Sequence, residues 1–258
     1  GIRSDSIAGY SPYIQVIVTI FMMLFGTNFA FYYLIIAKKV KDAFCMEEVK
    51  AYFAIFTAAT LLIAFNILSQ IGNVGDSLRH AAFQVASIMT TTGFATTDFD
   101  QWPEFSRTLL VMLMFIGACA GSTGGGIKVS RILMYMKTIK KELGILIHPR
   151  SVKIVMMDGK KLDHPVVRAA NIFLISYAGI LVASILLLTI DNFDFTTNVT
   201  AVISALNNIG PGLSLVGPAG NFAFFSGFSK YVLMFDMLAG RLEIFPMLLL
   251  FVPYTWKK

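Results

Sequence analysis

Charge is scarce in this sequence. Asp, Glu, Lys and Arg make up 14% of its 258 residues, where soluble domains carry about 25%. A soluble chain of this length would need more polar surface than these residues supply, so the composition points to a membrane protein. Cysteine is also scarce. Cys45 and Cys119 lie in or beside apolar runs with no cysteine near them in sequence. That excludes a disulfide framework and a cysteine-based metal site, and both read as small packing residues. The three histidines, His80, His148 and His164, show no ligand spacing. No catalytic constellation is present, so the chain is not read as an enzyme. The start, GIRSDSIAGY, lacks the basic end, apolar stretch and cleavage site of a signal peptide. It reads like the interior of a protein.

What is present is apolar sequence: 56% of the residues are hydrophobic, and mean hydropathy is +0.71. Segments at roughly 12–37, 50–71, 106–136, 166–190 and 228–254 are long enough to span, since a hydrocarbon core needs about 20 residues. Shorter helices are predicted at about 76–89 and 196–207. These are too short to cross and suit re-entrant, half-membrane helices.

The net charge of +6 is unevenly placed. Most of the 21 lysines and arginines fall in loops 38–50 and 128–168 and in the tail. Arg3, Arg79, Arg107 and Lys230 fall on the other side, and Arg241 lies within a span. By the positive-inside rule the basic loops and the C-terminus are cytoplasmic, and the N-terminus and short helices face outward. The excess is thus a topology signal, and no nucleic-acid partner is inferred.

The order span, short helix, glycine-containing turn, loop, span occurs twice. The first unit holds SIMTTTGFATTDFD, 87–100, and the second SALNNIGPGLSLVG, 204–217. Polar turns at Asp76-Ser77 and Asp194–Thr197 are suited to cap the short helices. Downstream, Ala120-Gly121 and Ala239-Gly240 follow the turn glycines Gly93 and Gly210 at nearly equal spacing. Matched spacing argues for duplication. Gly26 occupies the corresponding place in the opening segment, which puts a further turn glycine just before residue 1. The chain is therefore expected to begin inside another unit, giving 1–48 as the last helix of an incomplete repeat, 49–148 as a complete repeat with a broken second helix, and 149–258 as a complete repeat opening with a cytoplasmic linker.

Such a unit is a pore module. Non-helical backbone at membrane depth is costly in lipid and survives where it lines water, and there free carbonyls can replace an ion's hydration shell. Thr90, Thr91 and Thr92 favour extended backbone and carry hydroxyls, and Gly93 permits angles a side chain forbids. Asn207, Asn208, Ile209 and Gly210 are the second copy. Each turn can also be an ordinary structural loop. Asp98, Asp100, Asp191 and Asp194 lie on the outer side, where they would concentrate cations or simply solvate loops. A ring around an ion needs about four such loops, so two must come from elsewhere.

ACAGSTGGGIKVSR, 118–131, approximates a phosphate-binding loop, but Ile127 separates Gly126 from Lys128 and no βαβ pattern surrounds it. A helix broken inside the membrane fits better. Each glycine costs about 1 kcal/mol in a helix interior, and Ser122 and Thr123 can satisfy freed backbone groups. A close helix contact through small residues is the alternative.

SIMTTTGFATTDFDQWP, GACAGSTGGGIKVSRI, NNIGPG and MLAGRLEIFP together resemble the TrkH/TrkG/KtrB superfamily of bacterial potassium uptake proteins, across essentially the whole chain. The resemblance implies an all-α polytopic membrane protein of four span–pore helix–filter loop–span repeats around one potassium-channel-like pore. The chain corresponds to the end of the second repeat, the third and the fourth. An N-terminal half is then expected, on the same chain or a separate one. The filter residues carried over are Thr91, Thr92, Gly93, Phe94, Asn207, Asn208, Ile209 and Gly210, with potassium held at Thr91, Thr92, Asn208 and Ile209. The gate carried over is the intramembrane loop Gly121, Ser122, Thr123, Gly124, Gly125, Gly126, Ile127 and Lys128, with Arg241. Arg241 could be a barrier to cations, bind the loop, or pair with another helix. Potassium is the transported ion, and no organic cofactor is implied. The implied partners are the lipid bilayer, a second copy in a homodimer, and a cytoplasmic nucleotide-binding regulatory subunit of the TrkA/KtrA type. The implied location is the bacterial inner membrane. The alternative reading is an ion-coupled secondary transporter with a midplane site at its broken helices.

Overall fold

The computed structural model describes residues 6–148 and 154–241. Helices α4 (Glu47–Ile71) and α8 (His164–Leu188) each have 25 residues. At ~1.5 Å per residue they outreach the ~30 Å hydrocarbon core. Their apolar side chains point outward as well as inward: Phe65, Ile175 and Leu186 are exposed. Lipid rather than water accommodates such a surface. The chain is a polytopic helical membrane protein.

The first expected span is not one helix. Helices α1 (Pro12–Phe25) and α2 (Phe29–Ile36) meet at 88°. The cause is local and long-range together. A Cβ on Gly26 would lie 2.3 Å from the Tyr52 hydroxyl of α4, so α4 can approach this closely only because residue 26 is glycine. Asn28 then caps α2, accepting from the Ala30 N–H at 2.8 Å. The Gly26 carbonyl, freed by the bend, accepts the Cys119 N–H at 3.0 Å. A short helix α3 (Val40–Cys45) leads into α4.

Helices α5 (Val74–Met89) and α9 (Phe195–Leu206) are the two short ones. Asn73 caps α5 and Asp194 caps α9 through side-chain oxygens. They are too short to span, and each packs against the long helix before it, α5 on α4 and α9 on α8. Their C-terminal halves, from Gln84 to Met89 and from Ala201 to Leu206, are buried. Two of the apolar clusters form around these helices. One joins Met22, Tyr52, Ile63, Phe83, Leu110 and Met114, and the other Leu188, Ala201, Val202 and Leu233. Ile203 and Ile209 belong to the first core, so the second unit is packed into the first.

The third expected span is interrupted, as its glycines suggest. Helix α6 (Glu104–Phe115) stops, and α7 (Val129–Ile147) resumes and runs on beyond the expected end. An antiparallel hairpin of β1 (Met156–Met157) and β2 (Lys160–Lys161) precedes α8. Its Asp158-Gly159 turn has both φ angles positive, as a two-residue hairpin requires. Helix α10 (Gly227–Arg241) forms the described part of the fifth span, and 242–254 lie outside the described residues.

Candidate functional site

The two glycine turns follow the C-termini of α5 and α9 and share one backbone pattern. Thr91 and Asn208 both take left-handed angles, φ 54° and 57°. The Thr91 N–H donates to Ile88 O at 3.1 Å, and the Asn208 N–H to Ala205 O at 3.0 Å. The next N–H in each, Thr92 and Ile209, donates to Ser87 O and Ser204 O, both at 2.9 Å. Gly93 and Gly210 return to positive φ, 77° and 115°. A β-branched residue such as Thr91 at positive φ stores strain of ~1–3 kcal/mol and persists only where its surroundings enforce it.

This arrangement consumes donors and leaves acceptors. Among the described residues no hydrogen bond reaches the carbonyl oxygens of Thr91, Thr92, Gly93, Asn208, Ile209 or Gly210. The two turns lie against each other: a Cβ on Gly93 would sit 2.1 Å from Ile209 O. The α5 and α9 C-termini contribute partial negative charge to the same place. The site therefore offers oxygens of a kind that can coordinate a desolvated cation.

Phe94 extends the first turn, its carbonyl accepting from Ser87 Oγ at 2.6 Å. The side chain of Asn207 serves the framework. It is fully buried, donating to Tyr177 Oη at 2.8 Å and to Ile203 O at 2.8 Å. Asn208 Nδ2 reaches Met237 O at 3.1 Å, tying its turn to α10.

The glycine-rich segment is a closed excursion packed against the turns. At its base the Gly117 N–H donates to Ile127 O at 2.8 Å and the Val129 N–H to Ala118 O at 3.2 Å. Between these bonds the loop rises and makes contacts only glycine allows. A Cβ on Gly125 would lie 2.6 Å from Asn207 O, and one on Gly117 2.2 Å from Gly125 O. Gly121 and Gly126 have positive φ. The Gly125 N–H donates to Thr91 Oγ1 at 2.8 Å, and Thr123 reaches Phe25 O through both N–H and Oγ1. Ser122 Oγ caps Cys119 O, and Lys128 Nζ bonds Gly124 O. Ser122, Thr123 and Lys128 thus supply partners for backbone carbonyls at and beside the break.

Arg241 does bind this loop. Its Nη1 donates to Thr123 O at 3.0 Å. A cleft of about 340 Å³ lies between them, lined by the loop, Tyr177, Gly240 and the cations Lys128, Arg131 and Arg241. The aspartates expected on the outer side accept from protein donors: Asp100 from Arg107 and the Ser214 N–H, Asp98 from Gln101, Asp191 from the Ser226 N–H and Asp194 from Thr197.

The whole chain matches a family model, TrkH, cation transport protein, over residues 2–258. The chain belongs to the TrkH family. It is 36% identical to the Trk system potassium uptake protein TrkH of Salmonella typhimurium, covering 98% of this chain and 53% of that protein. It is 30% identical to the Escherichia coli Trk system potassium uptake protein TrkG, covering 99% and 53%. The crystal structure of the potassium transporter TrkH from Vibrio parahaemolyticus superposes with a TM-score of 0.90 at 36% identity, over 98% of this chain and 55% of that one. The chain thus spans about half the length of the curated relatives it matches. Those relatives are transport proteins rather than enzymes.

Sequence reasoning missed three residues that hold this TrkH-family site together. Tyr177 of α8 locks Asn207, Glu48 accepts the Ala120 N–H at the base of the glycine-rich loop, and Asn28 donates to Glu48. Tyr177 and Glu48 carry no local signal, being one aromatic among many and one acid in a helix's first turn.

Proposed function

We propose that this chain supplies two of the four filter turns of a potassium-selective pore, and that the loop from Gly121 to Lys128, with Arg241, gates it. The observation that carries the reading is the set of unbonded carbonyls at Thr91, Thr92, Gly93, Asn208, Ile209 and Gly210. A carbonyl left unpaired near the membrane interior is costly unless an ion or water takes the place of a donor. Potassium, a weakly hydrated monovalent ion, exchanges its water for such oxygens. Thr91, Thr92, Asn208 and Ile209 are assigned as its holders. The potassium uptake named for the relatives supports the choice of ion.

The loop fits a gate because it lies across the inner side of both turns and is built to sit there: Gly125 touches both. Lys128, Arg131 and Arg241 add positive charge on that side, which opposes cation passage while the loop is in place. The proposed assembly follows the family: an N-terminal half that completes the ring, a second copy, and a nucleotide-binding regulator on the cytoplasmic face in the bacterial inner membrane. The three repeat boundaries proposed from sequence go with it.

The test is uptake in a bacterium lacking its own potassium transporters and carrying the complete gene. Wild type should take up rubidium in preference to sodium, and Gly93→Ala should lose that preference. Unchanged discrimination in Gly93→Ala would sink the filter assignment.

A further inference from the structure

Glu48 sits in the first turn of α4, at the end of a span, yet is only 3% exposed. A buried carboxylate needs donors for its lone pairs, and Glu48 has three from two separate segments. Its Oε1 accepts the Ala120 N–H at 2.6 Å and the Ser130 N–H at 3.1 Å. Its Oε2 accepts from Asn28 Nδ2 at 3.2 Å.

The positions of these donors matter. Ala120 is the last residue before Gly121, where the glycine-rich loop departs. Ser130 lies in the first turn of α7, just past Lys128, where the loop returns. One carboxylate oxygen therefore clasps both ends of the excursion. The other oxygen holds Asn28, at the 88° bend between α1 and α2. That bend meets the loop again, the Phe29 N–H donating to Gly121 O at 3.1 Å. The Ser130 N–H is one of the donors that the N-terminus of α7 leaves without an intrahelical partner.

We infer that Glu48 is the positioning residue that holds the loop in its blocking place, through charge-assisted hydrogen bonds to Ala120 and Ser130 and through Asn28. This rests on the gate reading above. Freed of Glu48, the loop keeps its contacts to Thr91 and Arg241 and its own closing bonds at Gly117 and Val129, but loses the tie that anchors that base to α4 and the α1–α2 bend, so the blocked state is less favoured. Hydrogen bonds to a charged acceptor are the strong ones.

The geometry sets a swap test. In Glu48→Gln the amide oxygen can still accept from Ala120 and Ser130, but the new amide nitrogen faces Asn28 Nδ2, donor against donor. Asn28 cannot turn over without withdrawing Oδ1 from the Ala30 N–H it caps. Asn28→Asp alone sets two carboxylates face to face. The double variant, Asn28→Asp with Glu48→Gln, restores acceptor to donor and keeps the α2 cap.

Rubidium leak is measured in membranes carrying the complete transporter without its cytoplasmic partner, normalised to transporter present. Each single variant should leak roughly tenfold more than wild type, the size expected for one charged hydrogen bond. The double variant should return close to wild type. A control that shortens the loop by removing Gly124 and Gly125 should leak regardless of Glu48. Wild-type leak in Glu48→Gln beside a leaky control overturns the inference and leaves the gate reading standing. A control that does not leak overturns both. A double variant as leaky as the singles overturns the inference, because a residue needed only for packing is not rescued by a swap. If Glu48→Gln fails to accumulate, Glu48→Asp, which keeps charge and loses reach, is read instead. Accumulation of neither assigns Glu48 to folding and overturns the inference.

Discussion

The backbone N–H of Gly125, in the middle of the glycine-rich loop, donates to the side-chain hydroxyl of Thr91 at 2.8 Å. Thr91 belongs to the first proposed filter turn and holds a left-handed angle that a β-branched residue adopts only under constraint. The bond therefore joins the proposed gate to the proposed filter by a side chain whose backbone is already strained. Replacing Thr91 by valine keeps shape and removes the acceptor. The orphaned amide costs about 1–3 kcal/mol. The expected outcome is a weakened blocked state, seen as increased rubidium leak from vesicles with transporter levels unchanged. Leak equal to wild type would separate the hydroxyl from gating.

Two glycines with almost the same backbone angle predict different outcomes. Gly72 has φ 74° and ends α4 with nothing within 4 Å of where a Cβ would stand, while Gly93 has φ 77° and would press that carbon to 2.1 Å from Ile209 O. Gly72→Ala should cost only the backbone strain, about 1–2 kcal/mol, with transport retained. Gly93→Ala should abolish discrimination between rubidium and sodium, since the neighbouring carbonyl must move. Competition uptake and thermal melting in detergent, run on both, distinguish angle from contact.

The turns and the interrupted helix were legible in sequence because their causes are local. Glycines and hydroxyl residues stand out inside an apolar run, and repetition of the spacing singles out Gly93 and Gly210. The break between Phe25 and Phe29 was not legible. Gly26 by itself is tolerated in a membrane helix, and the groups packed against it at the break, the Tyr52 hydroxyl and the Cys119 N–H, come from distant segments. Glu48 was hidden for a related reason. An acid in a first helical turn is ordinary, and its real partners, Ala120 and Ser130, lie far along the chain. Asp98 and Asp100 show the same limit: the sequence places two acids close together, but their partners Arg107 and Ser214 are visible only in the fold.

Asp194 makes the stability of the second short helix depend on pH. Hydrogen bonds from the Thr197 hydroxyl, and then from its N–H, hold the Asp194 carboxyl below the ordinary carboxylate range. A depressed acid contributes stability that is fully present above its unfolded value, about 3.9. That contribution is lost as pH falls through the lower folded value. Melting in detergent should therefore be insensitive to this group near neutrality and fall below about pH 4. Asp194→Asn keeps a cap and should flatten that acidic loss. Asp194→Ala should lower stability by about 0.5–2 kcal/mol near neutrality, a deficit that shrinks below about pH 4.

Arg241 can act on the cleft in two ways that a single substitution separates. Its Nη1 hydrogen bond to Thr123 O at 3.0 Å tethers the loop, and its charge, beside Lys128 and Arg131, repels cations. Lysine keeps the charge but lacks the planar fork that aims a donor at Thr123. Alanine removes both. If repulsion dominates, Arg241→Lys should leak like wild type. The geometry favours the tether, because Lys128 and Arg131 still supply positive charge when Arg241 is gone. Arg241→Lys is therefore expected to raise rubidium leak by roughly tenfold, the effect of one charged hydrogen bond, and Arg241→Ala to raise it only modestly further. A tenfold gap between the lysine and alanine variants, with lysine near wild type, would reassign Arg241 as an electrostatic barrier.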